Sequence, residues 1–238
     1  MSDLFTDPGA GGAPPPIAEA PPVIAPPPAL SSAVPAEPLV PWVSIWTRPR
    51  ATLRQVLEED PRRWVFRLAA LGGVAGALKL VSSSTFADSH SLSVVLAVCL
   101  GGGAPGGIVA LFLLTGLVGA TGRWLGGRGG STEVMAALAW SYVPGIWGLS
   151  LWLPLGALLR EEVFRAHPAL LEGNPPATLL FGFVKGVQLL IGFWGFIVSL
   201  KCVGEAHAFS AWRAFGALLV TGLILAVPFG IVVSITGR

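Results

Sequence analysis

Charged side chains are scarce in this sequence. Asp, Glu, Lys and Arg make up 12% of its 238 residues, about half the share of an ordinary soluble domain, which excludes a surface built to meet water on every side. Histidine occurs only at His90, His167 and His207, and cysteine only at Cys99 and Cys202. No metal-ligand spacing relates them, so the cysteines read as small buried hydrophobes, and no metal or cofactor is expected. A zinc-binding HExxH, a GxSxG nucleophile elbow and a phosphate-cradling P-loop are all missing. The nearest approach to a catalytic string is Glu161-Glu162-Val163-Phe164-Arg165, whose Arg arrives one residue too early for the Glu-Glu-x-x-x-Arg pattern of an intramembrane protease. The expectation there is a solvated loop of mixed charge, with no catalytic residues anywhere in the chain. A net charge of +2 is too small to imply a nucleic-acid partner.

What the sequence has in abundance is apolar length. Hydrophobic residues account for 53% of the chain and the mean hydropathy is +0.72. Five runs, Trp64–Ser82, Leu92–Thr121, Val134–Leu158, Thr178–Leu200 and Ala214–Ile235, approach or exceed the ~20 residues a helix needs to cross the hydrocarbon. The predicted fold class is all-α: a polytopic transmembrane bundle of five helices. Short connections leave room for one membrane domain, residues 41–238, and no second folded unit.

Residues 1–40 are dominated by Pro, Ala and Gly, as in Pro21-Pro22-Val23-Ile24-Ala25-Pro26-Pro27-Pro28. Such a composition predicts a disordered Pro-rich tail of polyproline II character, acting as a tether or as a ligand for an aromatic groove. It lacks the basic, apolar and small-residue succession of a cleavable signal, so the first span is expected to be retained.

The segment from Pro41 to Leu57 predicts a short interfacial amphipathic helix. At ~100° per residue, Trp42, Trp46, Leu53, Val56 and Leu57 share one face, with Arg50 and Arg54 beside it. Pro49 is expected to divide the segment, with Thr47 capping a second short helix. The stripe suits either an anionic leaflet or the end of the chain's own bundle. Trp42, Trp46, Arg50, Arg54, Arg62, Arg63 and Trp64 are therefore the candidate membrane-interface residues.

Basic residues set the expected orientation. Arg48, Arg50, Arg54, Arg62, Arg63, Arg67, Arg123, Arg128, Lys201 and Arg213 fall on one side of the five-span plan, whereas Lys79, Arg160, Arg165 and Arg238 fall on the other. Ten against four predicts a multi-pass protein of the cell (inner) membrane, with a cytoplasmic N-terminus and an external C-terminus.

Inside the spans, Gly101–Gly107, interrupted by Pro105, requires a kink, an unwinding or a close approach to a neighbour. Gly72/Gly76 and Gly182/Gly186 have the small-xxx-small spacing that either packs helices within the bundle or forms a dimer face. Lys185, with Gln188 one turn further in, is the clearest intramembrane polar candidate. It either snorkels, pairs structurally, or lines a polar path for a solute. Between the last two spans, Lys201 and Glu205 have i,i+4 spacing, and Ser210 is placed to cap the final helix.

Several of these stretches carry a family resemblance. The run Pro41-Trp42-Val43-Ser44-Ile45-Trp46-Thr47-Arg48-Pro49-Arg50 is followed by Asp60-Pro61-Arg62-Arg63, Gly122-Arg123-Trp124-Leu125-Gly126-Gly127, Ala137-Leu138-Ala139-Trp140-Ser141-Tyr142-Val143-Pro144, Leu200-Lys201-Cys202-Val203-Gly204-Glu205 and Phe209-Ser210-Ala211-Trp212-Arg213-Ala214. In this order they resemble the bacterial branch of the Ypt-interacting-protein (Yip) family, from about Pro41 to the C-terminus. The resemblance implies a five-helix membrane protein with a cytosolic N-terminus and supplies no catalytic residues. Eukaryotic relatives associate with Rab-type GTPases through an N-terminal region. Here that region is a short Pro-Ala tail, so a GTPase partner is not carried over. The expected function is a non-enzymatic membrane scaffold or organiser in contact with the lipid bilayer, other membrane proteins or itself. The alternative is a small-solute or ion permeation protein using the broken second span and Lys185.

Overall fold

Apolar runs of this length bury their own backbone hydrogen bonds most economically as helices, and each of the five becomes one. A computed structural model describes residues 38–165 and 168–236, except for the side chains at 161 and 228–236. Of the tail expected over residues 1–40, residues 1–37 lie outside the described residues, as does His167. The principal helices are α1 (Pro41–Thr47), α2 (Pro49–Glu59) and α3 (Val65–Val81), then α4 (Leu92–Trp124), α5 (Ser131–Leu159) and α6 (Pro175–Ala206), then α7 (Ala211–Thr236). By length and composition α4, α5 and α6 are each sufficient to cross a membrane. α3 has 17 residues and α7 has 26. No strand occurs among the described residues.

The termini follow local chemistry. Pro41 and Pro49 occupy the first positions of α1 and α2, where a missing N–H costs nothing. The cap of α2 is Arg48 rather than Thr47, and Arg48 makes no side-chain cap bond. The corner is held instead by Thr52, whose Oγ1 lies 2.8 Å from both the Arg48 carbonyl and Ser44 Oγ. Asn174 caps α6 by accepting from the Ala177 N–H at 3.3 Å, and Ser210 accepts from the Arg213 N–H at 3.4 Å before α7. The Gly101–Gly107 region breaks α4 at Gly102. Pro105 has no N–H to offer the Gly101 carbonyl one turn back, and the helix resumes from Gly103.

Two apolar clusters sit at opposite ends of the helices. One joins Val65 and Leu68 of α3, Val118 of α4, Val134 and Trp140 of α5, Cys202 of α6 and Ala214 of α7. The other joins Leu78, Val95, Leu155 and Val184. Each cluster takes the start of one helix and the end of the next, so α3 to α7 alternate in direction. That alternation gathers Arg48–Arg67, Arg123, Arg128, Lys201 and Arg213 at one end, the basic end, and leaves Lys79 and Arg160 toward the other.

Between the clusters the closest approach is that of α3 to α4. A Cβ added at Gly73 would overlap the Gly103 carbonyl oxygen and lie 2.6 Å from Cα of Gly107, and one at Gly107 would overlap the Ala69 carbonyl. The small-xxx-small pair that packs α3 is thus Gly103/Gly107. Of the pairs singled out in the sequence, Gly72 meets the Tyr142 ring, whereas Gly76, Gly182 and Gly186 have nothing within 4 Å. Gly73→Val or Gly107→Val should therefore destabilise the bundle by about 1–3 kcal/mol through overpacking against rigid backbone. Gly76→Val should be close to neutral. Thermal unfolding in detergent checks both, and equal melting of all three variants would contradict the packing.

Candidate functional site

The basic end is where the chemistry concentrates, and one carboxylate organises it. Glu205, in the last turn of α6, has a side chain only 13% exposed, and Arg50 and Arg54 of α2 both reach it. Arg54 donates from Nε at 2.8 Å and places Nη2 2.7 Å from the same oxygen, Oε1. Arg50 Nη1 lies 3.3 Å from Oε2, and its Nη2 donates to the Phe209 carbonyl at 3.1 Å. The hydrogen bond to Glu205, and then its charge, raise the Arg54 guanidinium above its ordinary value. Both guanidiniums are more than a third exposed, so solvent screens their share of the clamp, that of Arg54 more than that of Arg50. The expected i,i+4 partner of Glu205, Lys201, is superseded by these tertiary contacts. A guanidinium fork matches a carboxylate better than an ammonium does.

This clamp seats α1 and α2 on the bundle. Ile45, Leu53 and Val56 are buried against it, with Trp42, Trp46 and Leu57 packed alongside. Trp46 accepts at its carbonyl from Trp194 Nε1 at 3.0 Å, and Trp42 meets Trp64 and Trp140 edge-on, with centroids 6.2 and 6.0 Å apart. The Arg67 guanidinium lies 4.7 Å above the Trp64 ring. Arg62 and Arg63 are exposed in the turn before α3, with Arg63 4.0 Å from Glu59. The structure thus brings Trp42, Trp46, Arg50, Arg54 and Trp64 together at the basic end and leaves Arg62 and Arg63 at its edge. An apolar groove of about 460 Å³ opens beside Trp46 and Trp194, floored by Val187, Leu190 and Ile191.

Beside the clamp, two helix ends interlock. α4 closes with Gly126 at φ +84°, the Gly127 N–H reaching the Gly122 carbonyl at 2.8 Å and the Gly126 N–H the Arg123 carbonyl at 2.9 Å. α6 closes in the same way, with Ala208 at φ 54° and the Phe209 N–H reaching the Gly204 carbonyl at 2.9 Å. Both are Schellman endings, in which a left-handed residue lets the next N–H groups satisfy orphan carbonyls. His207 ties them together. Its carbonyl accepts from the Arg128 N–H at 3.1 Å and its Nδ1 from the Gly129 N–H at 3.3 Å. The ring is 1% exposed and fills space that side chains at Gly122, Gly127 and Gly129 would occupy. Since Nδ1 accepts, the neutral ring carries its proton on Nε2, which faces the Val118 carbonyl without closing a hydrogen bond. Burial, and more weakly Arg123, hold the imidazole pKa below its ordinary value against an opposing pull from that carbonyl.

The intramembrane candidates lie elsewhere. Lys185 places Nζ 4.9 Å above the Trp152 ring and 5.3 Å from that of Phe181, a cation–π cradle. The Gln188 Nε2 atom is buried without a hydrogen-bond partner. Glu162 forms a local pair with Arg165 at 3.6 Å and accepts from the Leu170 N–H at 3.0 Å. Among the described residues no three His, Cys, Asp or Glu side chains converge as metal ligands.

Sequence reasoning did not find Glu205 as the clamp or His207 as the tie. One signal was available for the first, because Glu205 is the only acid between Glu172 and the C-terminus, while Arg is plentiful over residues 48–67.

The His207 tie makes stability depend on pH. The unfolded chain binds the imidazole proton more readily than the folded one, so the contribution is intact above the ordinary histidine value and is lost as pH falls through it. The melting temperature should drop between pH 7 and pH 5 in the wild type and less in His207→Asn, whose Oδ1 can replace Nδ1 as the acceptor. Parallel pH profiles would contradict the assignment.

No curated protein and no solved structure matches the chain significantly. Residues 43–233 match the Yip1 domain family model. The match begins within α1 and takes in the clamp, the interlocked helix ends and α3 to α6 entire. The chain belongs to the Yip1 domain family.

Proposed function

We propose that this chain is a non-enzymatic integral membrane scaffold that acts through helix packing and through contacts with lipid and other membrane proteins. The observation that carries the reading is the seating of α1 and α2 on α6 by Glu205, which joins the segment preceding the first span to the bundle as one aromatic and basic platform. In this reading the chain crosses the membrane five times. α3 rises ~25 Å and α7 ~39 Å, against ~30 Å of hydrocarbon. The basic end faces the cytoplasm, the N-terminus lies there and the C-terminus lies outside the cell membrane, in keeping with the bias of Lys and Arg. Trp42, Trp46 and Trp64 lie at the level of the headgroups, with Arg62 and Arg63 toward their phosphates.

Partners would meet the outward face of α6, where Gly182 and Gly186 have open space beside the exposed Leu179 and Phe183. A copy of the same chain or another membrane helix could pack there. The permeation alternative requires Lys185 to line a polar path, and an ammonium held over two aromatic rings lends that requirement no support.

Two measurements test the proposal. Reporter fusions after Arg128, Gly173 and His207 should read cytoplasm, outside and cytoplasm; Arg128 and Gly173 on one side would overturn the five-span topology. Reconstituted in proteoliposomes, the wild type should pass no small solutes or ions above the protein-free background, and Lys185→Leu should not differ from it. A wild-type flux abolished by Lys185→Leu would replace the scaffold with a permeation protein.

A further inference from the structure

Away from the basic end, Lys79 near the close of α3 is a charge without a partner. Its Nζ lies 3.5 Å from the Cβ position of Gly192, so the side chain crosses from α3 toward α6 and does not turn to the outer end of its own helix. Along α6, exposed apolar side chains continue outward past Gly192 through Leu189 to Phe183, nine residues or ~14 Å further. In the membrane placement proposed above, that depth is hydrocarbon, where an ammonium calls for a partner. Lys185 has one in the rings of Trp152 and Phe181. The Lys79 ammonium has no hydrogen bond, ion pair or ring contact among the described residues.

The ammonium stands over a crevice. α5 runs between α3 and α6 at this level: the Cβ position of Gly72 lies 2.7 Å from the Tyr142 ring, and that of Gly148 lies 3.7 Å from Ile191 Cγ2. At ~100° per residue, Gly145 points midway between those two directions. It is exposed, with nothing within 4 Å of its Cβ position. Gly72, Gly76 and Lys79 share one face of α3, and Gly76 is exposed and open in the same way. Gly192 is exposed too, with only the Lys79 ammonium beside it. Gly76, Gly145 and Gly192 therefore leave bare backbone around one unpaired cation, and bare backbone is what lets another helix come close in lipid.

No carboxylate of this chain lies at that depth. From Val65 onward, Asp88, Glu161, Glu162 and Glu172 fall in the connections between the long helices, and Glu133 and Glu205 fall at the basic end. A second copy therefore has none to offer either, and lipid phosphates stay at the headgroup boundary. We propose that the crevice between α3 and α6 docks a transmembrane helix of a different protein, one bearing an Asp or Glu level with Gly192 that pairs with Lys79. The glycines admit its backbone, and the ion pair sets its depth. The site is distinct from the outward face of α6 at Gly182 and Gly186, and it rests on the membrane placement proposed above.

The test reconstitutes the full chain in phosphatidylcholine vesicles with a synthetic transmembrane helix of Leu and Ala carrying one central Glu, and reads association by energy transfer between dyes on the two. The Glu helix should associate with the wild type about tenfold more tightly than the same helix with Gln in that place. Lys79→Leu should remove the difference. Lys79→Arg, which restores the charge and guards against misfolding, should keep it, as should Lys185→Leu. Equal association of the Glu and Gln helices with the wild type would overturn the site, as would an unchanged preference in Lys79→Leu. Loss of the preference when phosphatidylglycerol replaces phosphatidylcholine would overturn it in favour of a lipid phosphate at Lys79. Cys99 and Cys202 are buried, so a membrane-impermeant maleimide reports on Lys79→Cys against a quiet background. Labelling there would count against the membrane placement itself, whereas no labelling together with no preference for the Glu helix would count against the docking site alone.

Discussion

A partly buried carboxylate close to two guanidiniums is the contact on which the basic end depends. Glu205 stands where α6 stops, and its burial is tolerable because Arg50 and Arg54 reach its two oxygens. With the clamp in place, Ile45, Leu53 and Val56 leave water, each with about 1.5–3 kcal/mol of apolar burial in its favour. Arg50 also binds the Phe209 carbonyl, so the same side chain that anchors α2 steadies the ending of α6. His207, two residues after Glu205, extends that order to the ending of α4. One stretch of sequence, 204–210, therefore couples α2, the connection after α4 and the start of α7.

Deeper in the bundle the constraint is different. Lipid tails are as apolar as leucine, so helices gain little by hiding apolar side chains from them and associate through close contact. The α3–α4 contact meets that requirement by removing side chains, which lets Gly73 lie against Gly103 and Gly107. The break at Gly102 is part of the same solution, since the glycines that loosen α4 are the ones that admit α3.

The helices were legible in the sequence because hydropathy and helix punctuation are local. Leu92 was placed as the start of its helix, and the Thr178–Leu200 run proved to be the apolar centre of Pro175–Ala206. The N-cap at Ser210 was likewise readable, as was the division at Pro49. Contacts that depend on tertiary approach were not. Arg50 and Glu205 are separated by 155 residues, and nothing in the periodicity of either helix selects the other. Gly103/Gly107 and Gly182/Gly186 have the same spacing, yet one pair meets a neighbouring backbone and the other meets open space. Only the arrangement of the bundle distinguishes them.

The central claim is that Glu205 holds α2 on the bundle, and hydrogen exchange of the protein in lipid nanodiscs tests it most directly. In Glu205→Ala, the amides of residues 49–59 should exchange faster than in the wild type, while those of residues 178–200 keep their protection. Unchanged protection over residues 49–59 would contradict the claim and leave the apolar stripe alone as the tie.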